Sequence, residues 1–496
     1  MKRICLFLLI LAIVSLPVFA RGSSASSVDA TELRIMIRNI GMAPTNDNII
    51  HQELERRTGF KLNFELKPSA SYNAASNTVI ASGDYPDAME YWSTVYPTEL
   101  QQFADDGVIR PVDDLIARYG SEFTPEVRPS NYWFVSNKDN KRYAIPMRYS
   151  SYGTSNAIIL RKDWLDMLGL NMPKNSDEYF NVLTAFAQNA ERLVGQNRRF
   201  APHGTWNGAG CFLSYIMSEN SMIRGWNWVD GNLVHYANMP AYRNVLQTAR
   251  RFYQAGLIEP EYPILLNRDD AMNRMAGNQY GAWDWYTTSF ENESLSTRLY
   301  DALPELKNNL AFIPYFADKT GTKRFIQNTP RQQMLIFEKT PEEKAINLVK
   351  LFNYMISKEG AYLIELGLEG EHYTIDSSGN VIVPDLTPEM GARLGIWNYS
   401  FTMRRDNLPI AISDYLRDFM TTETSASYGI ESPVPYGRAW QQYGIALNEM
   451  INQYETELIT RRDINFDAAF NELTNTWYTS GGTQVTQEMN ELYGRR

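Results

Sequence analysis

Leu33, Ile35 and Ile37 recur with a period of two, Ile50 and Leu54 then mark one face of a helix, and Leu62, Phe64 and Leu66 alternate again. Apolar residues two apart line one side of a strand, and those three or four apart line one side of a helix. After Pro44, Thr45 or Asn46 is expected to cap the helix, and Gly59 to end it. A second helix over about Ser71 to Ala81 stops near Gly83, and a short strand spans Ala88 to Tyr91. Strand, helix and strand at this spacing leave few choices. The strands run parallel, joined by crossover helices, in an α/β sheet covered on its faces.

The same reading continues downstream. Val135 to Met147 is expected to form a hairpin about Lys138-Asp139-Asn140-Lys141, with Tyr143-Ala144-Ile145-Pro146 as the returning strand. Ala157 to Leu160 reads as a strand and Arg161 to Leu168 as a short helix. Asn175 with Glu178 forms a capping box for a helix buried through Tyr179, Leu183 and Phe186. Thr340-Pro341-Glu342-Glu343 starts another helix with proline at its first position, buried along Ala345, Leu348, Phe352 and Met355. Two C-terminal helices meet at Gly481-Gly482, one buried through Phe466, Phe470, Leu473 and Trp477, the other through Val485, Met489 and Leu492. No internal repeat interrupts the pattern.

The N-terminus predicts export. Lys2 and Arg3 precede an apolar run from Ile4 to Leu16, and Val18-Phe19-Ala20 offers a cleavage point, so residues 1–20 read as a secretory signal peptide rather than a membrane span. Arg21, not cysteine, follows the cut, so the mature chain is expected to be free in the periplasm and not lipid-anchored. Cys5 leaves with the leader and Cys211 then has no partner in the chain. Stability must therefore come from large cores, and a chain of 496 residues has room for two or three domain-sized units. The formal charge is −10 over the full chain, without basic clusters, which excludes nucleic acid and anionic lipid as expected partners.

Catalytic signatures are missing from the sequence. His51, His203, His235 and His372 are its four histidines and none belongs to an H-E-x-x-H pair; there is no G-x-S-x-G elbow and no Walker-type glycine loop. Paired carboxylates of a glycoside hydrolase meet only in space, so a secreted carbohydrate-active hydrolase stays as the alternative to a binding protein. Aromatic residues make up 13% of the chain, among them 11 tryptophans. Those set among glycine, proline and charge suit a sugar site, where ring faces stack on C–H faces and polar neighbours bond hydroxyls.

Six segments in order resemble the extracellular solute-binding protein family 1, in its oligosaccharide and lipoprotein-type branch. They are Val112-Asp113-Asp114-Leu115-Ile116, Tyr143-Ala144-Ile145-Pro146, Arg161-Lys162-Asp163-Trp164-Leu165 with Leu168-Gly169-Leu170, Gly256-Leu257-Ile258-Glu259-Pro260-Glu261-Tyr262, Gly367-Leu368-Glu369-Gly370-Glu371-His372-Tyr373, and Gly481-Gly482 with Glu488-Met489-Asn490. The resemblance implies a two-lobed periplasmic binding protein fold (type II), a ligand cleft between α/β lobes joined by a hinge, and no enzymatic activity. The implied ligand is an oligosaccharide-like carbohydrate and the implied partners are the permease subunits of an ABC importer; the chain itself is expected to be a monomer. A sensory module feeding a membrane receptor would share this fold.

By the same resemblance the chain crosses between lobes near Arg148, Gly321 and Ile375. Residues 28–148 and 322–375 then form lobe one, and 149–321 and 376–496 form lobe two. Relatives often carry a calcium loop after the Phe186 helix; here Asn189 to Asn197 has one carboxylate and an arginine, so no metal is expected, and no cofactor. The sugar-stacking segment is matched by Gly281-Ala282-Trp283-Asp284-Trp285-Tyr286, where alternation puts Trp283 and Trp285 on one side and Asp284 on the other. Each tryptophan either touches ligand or fills the core. Further candidates are Trp206 in a glycine-rich loop, Tyr436 in Pro433-Val434-Pro435-Tyr436 and Trp92 at a strand end. Arg148 at the first crossing, Trp397 and Arg404 complete the set.

Overall fold

The structure is a computed structural model that describes residues 29–39, 48–68, 71–92, 98–125, 133–136, 138–147, 156–196, 199–205, 210–262, 268–286, 299–326, 332–377, 379, 381–382, 394–395, 428–430 and 437–493. Strand–helix alternation opens it: β1 (Glu32–Asn39), α1 (Ile49–Thr58), β2 (Lys61–Pro68), α2 (Tyr72–Ser82) and β3 (Ala88–Trp92), with all three strands parallel. Asn48, not Thr45 or Asn46, caps α1: its Oδ1 accepts the His51 amide at 2.8 Å. Gly59 ends that helix at φ 74°. Next come α3 (Thr98–Asp105), α4 (Asp113–Tyr119) and β4 (Ile145–Pro146). The expected hairpin before β4 forms around the antiparallel bridge of Val135 to Arg142: the Ser136 amide donates to the Lys141 carbonyl at 2.9 Å and the Tyr143 amide to the Phe134 carbonyl at 3.2 Å, with the turn at Asn140, φ 59°.

The chain then builds a second body from β5 (Asn156–Arg161), α5 (Lys162–Leu168), α6 (Ser176–Gln188), α7 (Ala190–Val194), β6 (Ala201–Gly204) and α8 (Gly210–Glu219). It continues through β7 (Trp226–Val229), β8 (Asn232–His235), α9 (Pro240–Gln254), α10 (Arg268–Ala276), β9 (Tyr280–Tyr286), β10 (Leu310–Phe312) and β11 (Arg324–Ile326). Asn175 Oδ1 takes the Glu178 backbone amide at 2.8 Å, while the Glu178 carboxylate accepts the Lys174 backbone amide and the Asn175 side-chain amide, each at 2.9 Å, rather than the Asn175 backbone amide. The capping box is thus displaced by one residue on its return bond.

β12 (Gln332–Ile336), α11 (Glu342–Ile356), α12 (Lys358–Leu366), β13 (Thr374–Ile375) and β14 (Val381–Ile382) return to the first body. Pro341 is the cap of α11 instead of its first helical residue; φ −53° suits either place. β12 inserts antiparallel between β3 and β4, giving the order β2-β1-β3-β12-β4. Leu33, Ile35 and Ile37 pack with α1, α11 and α12 on one face, and Met36, Met89 and Leu335 pack with Tyr72 of α2 and Leu100 of α3 on the other. Period-two alternation therefore feeds two cores from one sheet.

β15 (Tyr428–Ile430), α13 (Arg438–Thr460), α14 (Phe466–Trp477) and α15 (Thr483–Tyr493) finish the second lobe, whose main sheet runs β10-β5-β9-β6. Met147 packs in the first core, and Asn156 opens β5 of the second body. β11 pairs with β15, and its Arg324 amide donates to Ser218 Oγ of α8 at 2.8 Å, so the chain stays with lobe two through Ile326. Leu394 packs against the first lobe's core. Gly481 turns α14 into α15 at φ 109°, where a Cβ would lie 2.3 Å from the Tyr443 ring. Leu492, expected in the core, is exposed.

A polar knot fastens the C-terminal helices to this lobe. Glu455 of α13 is buried, accepts Arg224 Nη2 at 3.0 Å and the Tyr236 hydroxyl at 3.1 Å, and also accepts the Tyr242 hydroxyl. Beside it, His235 stacks on Trp477 with ring centroids 4.2 Å apart. Burial, helped by the Arg224 charge, lowers its pKa from 6.5 to about 3. Between those values the unfolded chain binds a proton that the folded chain refuses. The stability this group contributes is complete above pH 6.5 and is lost as pH falls towards 3. Each pH unit in that window is expected to weaken folding about tenfold through this group alone. Equilibrium denaturation across pH, on the wild type and His235→Asn, checks it: the variant's profile should lack that slope.

Candidate functional site

A cavity of about 590 Å³ opens between the lobes. Lobe one contributes Gln101, Gln102 and Asp105 of α3 with the adjoining Asp106; lobe two contributes Gly437, Arg438 and Gln441 at the start of α13 and Glu488 and Leu492 of α15. Its size lies within the usual range for small-ligand pockets, roughly 300 to 1,000 Å³. Its walls are set by local chemistry. The Glu488 carboxylate takes the amides of Arg438 and Ala439 at 2.9 and 3.0 Å, satisfying donors that the first turn of α13 leaves open. Gly437 takes φ 143°, a backbone conformation that residues with a side chain rarely adopt, and a Cβ on it would also meet a Glu488 oxygen at 2.2 Å. Across the cavity Gln101 Nε2 donates to Asp105 Oδ1 at 2.8 Å and Ser136 Oγ at 3.0 Å. Lys138 Nζ donates to the Ala104 carbonyl at 3.1 Å, closing the C-terminal end of α3.

The tryptophans of β9 are placed otherwise. Trp283 and Trp285 do share a face, but it is the buried one: they are 2% and 1% exposed among Met272 and Met275 of α10, Leu306 and Phe312. The core alternative describes both. Asp284, on the opposite face, is buried with its own partners, accepting Thr205 Oγ1 at 2.9 Å and lying 3.4 Å from His203 Nε2. His203 Nδ1 in turn meets the Tyr179 hydroxyl at 2.6 Å. Burial and the neighbouring Asp284 push the Cys211 thiol well above its usual range, which suits an inert cysteine and not a nucleophile.

Tyr286 ends β9 opposite Asn156, and Trp92 ends β3 opposite Gln332. Trp206, Arg148, Trp397, Arg404 and Tyr436 lie outside the described residues, although Tyr436 directly precedes the cavity-lining Gly437. Gln101, Gln102, Asp105, Asp106, Arg438, Gln441 and Glu488 escaped sequence reasoning. On a helix such residues look like a solvated face, and only the meeting of two lobes makes them a wall. In the stretch Asn189 to Asn197, residues 190–194 form α7 and Glu191 holds Gln196. Among the described residues no three His, Cys, Asp or Glu side chains gather to hold a metal.

Two α/β lobes, each with its own cores, facing each other across a polar cavity make this a two-lobed solute-binding protein. The family of bacterial extracellular solute-binding proteins matches residues 43–362, and the chain belongs to that family. The fructooligosaccharide ABC transporter substrate-binding protein FusA of Streptococcus pneumoniae serotype 4 is 26% identical over 293 residues, 55% of this chain and 53% of that protein. The chain thus matches about half the length of that relative. The polygalacturonan/rhamnogalacturonan-binding protein YtcQ of Bacillus subtilis is 21% identical over 515 residues, covering 99% of this chain and 98% of YtcQ. The structure of S. pneumoniae FusA in complex with kestose superposes with a TM-score of 0.71 at 18% identity, covering 93% of this chain and 99% of that one. The family and these relatives are binding proteins rather than enzymes.

Proposed function

We propose that this protein is the substrate-binding component of a bacterial ABC importer: it captures an oligosaccharide between its lobes, closes on it and delivers it to the permease subunits in the membrane. The observation that carries the reading is the polar interlobe cavity, to which both lobes contribute side chains. A ligand touching both walls stabilises the closed state by its extra contacts there, and closure is what a permease can recognise. Carbohydrate-binding relatives support the class of ligand. Tyr436 is our candidate for the stacking aromatic, one residue before the Gly437 wall. The leader-like residues 1–20 support export, and no helix among the described residues is long and apolar enough to cross a membrane. Incubating stoichiometric protein with the oligosaccharide it binds should return that oligosaccharide intact; cleaved product accumulating over hours would move the function to a hydrolase.

A further inference from the structure

We propose that the interlobe cavity selects an uncharged oligosaccharide and discriminates against polyuronates. This rests on the reading of that cavity as the carbohydrate site. Among the described residues its walls carry the carboxylates of Asp105, Asp106 and Glu488 and one guanidinium, Arg438. Glu488 is partly balanced by the α13 amides it caps, at 2.9 and 3.0 Å. Asp105 accepts the Gln101 side-chain amide at 2.8 Å, a neutral donor that leaves its charge in place. Asp105 and Asp106 stand at the C-terminal end of α3, where the Lys138 ammonium, on the Ala104 and Asp105 carbonyls at 3.1 and 3.4 Å, offsets part of the negative potential of the helix dipole.

A polyuronate brings one carboxylate per sugar and needs cationic forks to hold them. Among the described lining residues one arginine faces three carboxylates, on a chain whose formal charge is −10. Hydroxyl groups meet the opposite situation. Aspartates accept from them, Arg438 donates to them, and glutamine amides such as those of Gln102 and Gln441 do both. A like charge brought within roughly 4 Å in a water-like medium costs about sixfold in affinity, so the two aspartates together disfavour a uronate by more than tenfold.

Calorimetric titration of the full mature chain with uncharged trisaccharides (kestose, maltotriose, raffinose) and with trigalacturonate tests this, at low and at near-physiological salt. At least one uncharged sugar should bind about tenfold more tightly than trigalacturonate, and added salt should narrow the gap by screening the repulsion. In the double variant Asp105→Asn, Asp106→Asn the ratio should shift about tenfold towards trigalacturonate, with an unchanged melting curve showing that the fold is kept. Trigalacturonate binding more tightly than every uncharged sugar overturns the selectivity and leaves the carbohydrate reading standing. A ratio unmoved by the double variant removes the selectivity from this cavity. If no sugar of either kind binds, the carbohydrate reading itself fails.

Discussion

Replacing Trp283 or Trp285 by alanine is expected to lower folding stability by about 3 to 5 kcal/mol, the usual cost of emptying a large buried aromatic site. Both indoles are almost fully enclosed between the second lobe's sheet and α10, where Met272 and Met275 close over them. The surroundings include sheet backbone on one side, paired to β5 and β6, so the site has little freedom to collapse into the space left behind. Denaturant unfolding measures the loss directly. Affinity for oligosaccharide, measured under conditions where the variants remain folded, should change little. A stacking residue behaves in the reverse way: truncation weakens binding by roughly 1 to 3 kcal/mol and leaves the melting temperature almost untouched. The second pattern, in either variant, would place that tryptophan in the ligand site.

Glu455→Ala is expected to cost about 3 kcal/mol. Breaking a buried pair by removing one partner costs roughly 3 to 5 kcal/mol, because the surviving charge has no compensation. The lower end applies here, since the Arg224 side chain keeps 28% exposure and can recruit water. Two hydroxyls, Tyr236 and Tyr242, lose their acceptor in the same step. Replacing Arg224 and Glu455 together by methionine and leucine should recover much of the loss, because no charge is then stranded. Equilibrium denaturation of the three chains checks both statements. A loss below about 1 kcal/mol for Glu455→Ala is the mark of an ordinary surface pair, and would show that this knot does not fasten α13.

Local signals were legible where one residue's chemistry decides the outcome. The period-two strands from Leu33 onwards, the left-handed end of α1 at Gly59 and the turn at Gly481 all follow from pattern or from a φ that only glycine adopts cheaply. Distant relationships were not. That β12 lies antiparallel beside β3 joins residues more than two hundred apart, and no periodicity carries that information. The β9 segment shows the limit well. Alternation places Trp283 and Trp285 together, but which face is core depends on α10 and the segment around Leu306, which arrive from elsewhere in the chain. Leu492 kept its helical spacing and still became exposed, because its side of α15 lines the interlobe cavity instead of packing on α13 or α14. The cavity itself is assembled from unremarkable polar positions on three helices, so only the fold makes it visible.

Closure of the cleft on an oligosaccharide is measured by small-angle X-ray scattering of the mature protein with and without a saturating uncharged sugar identified by calorimetry. One binding site per chain and a smaller radius of gyration in the bound state are expected, with the sugar recovered unchanged. Binding with scattering that stays the same in both states would contradict closure of the two lobes about the ligand.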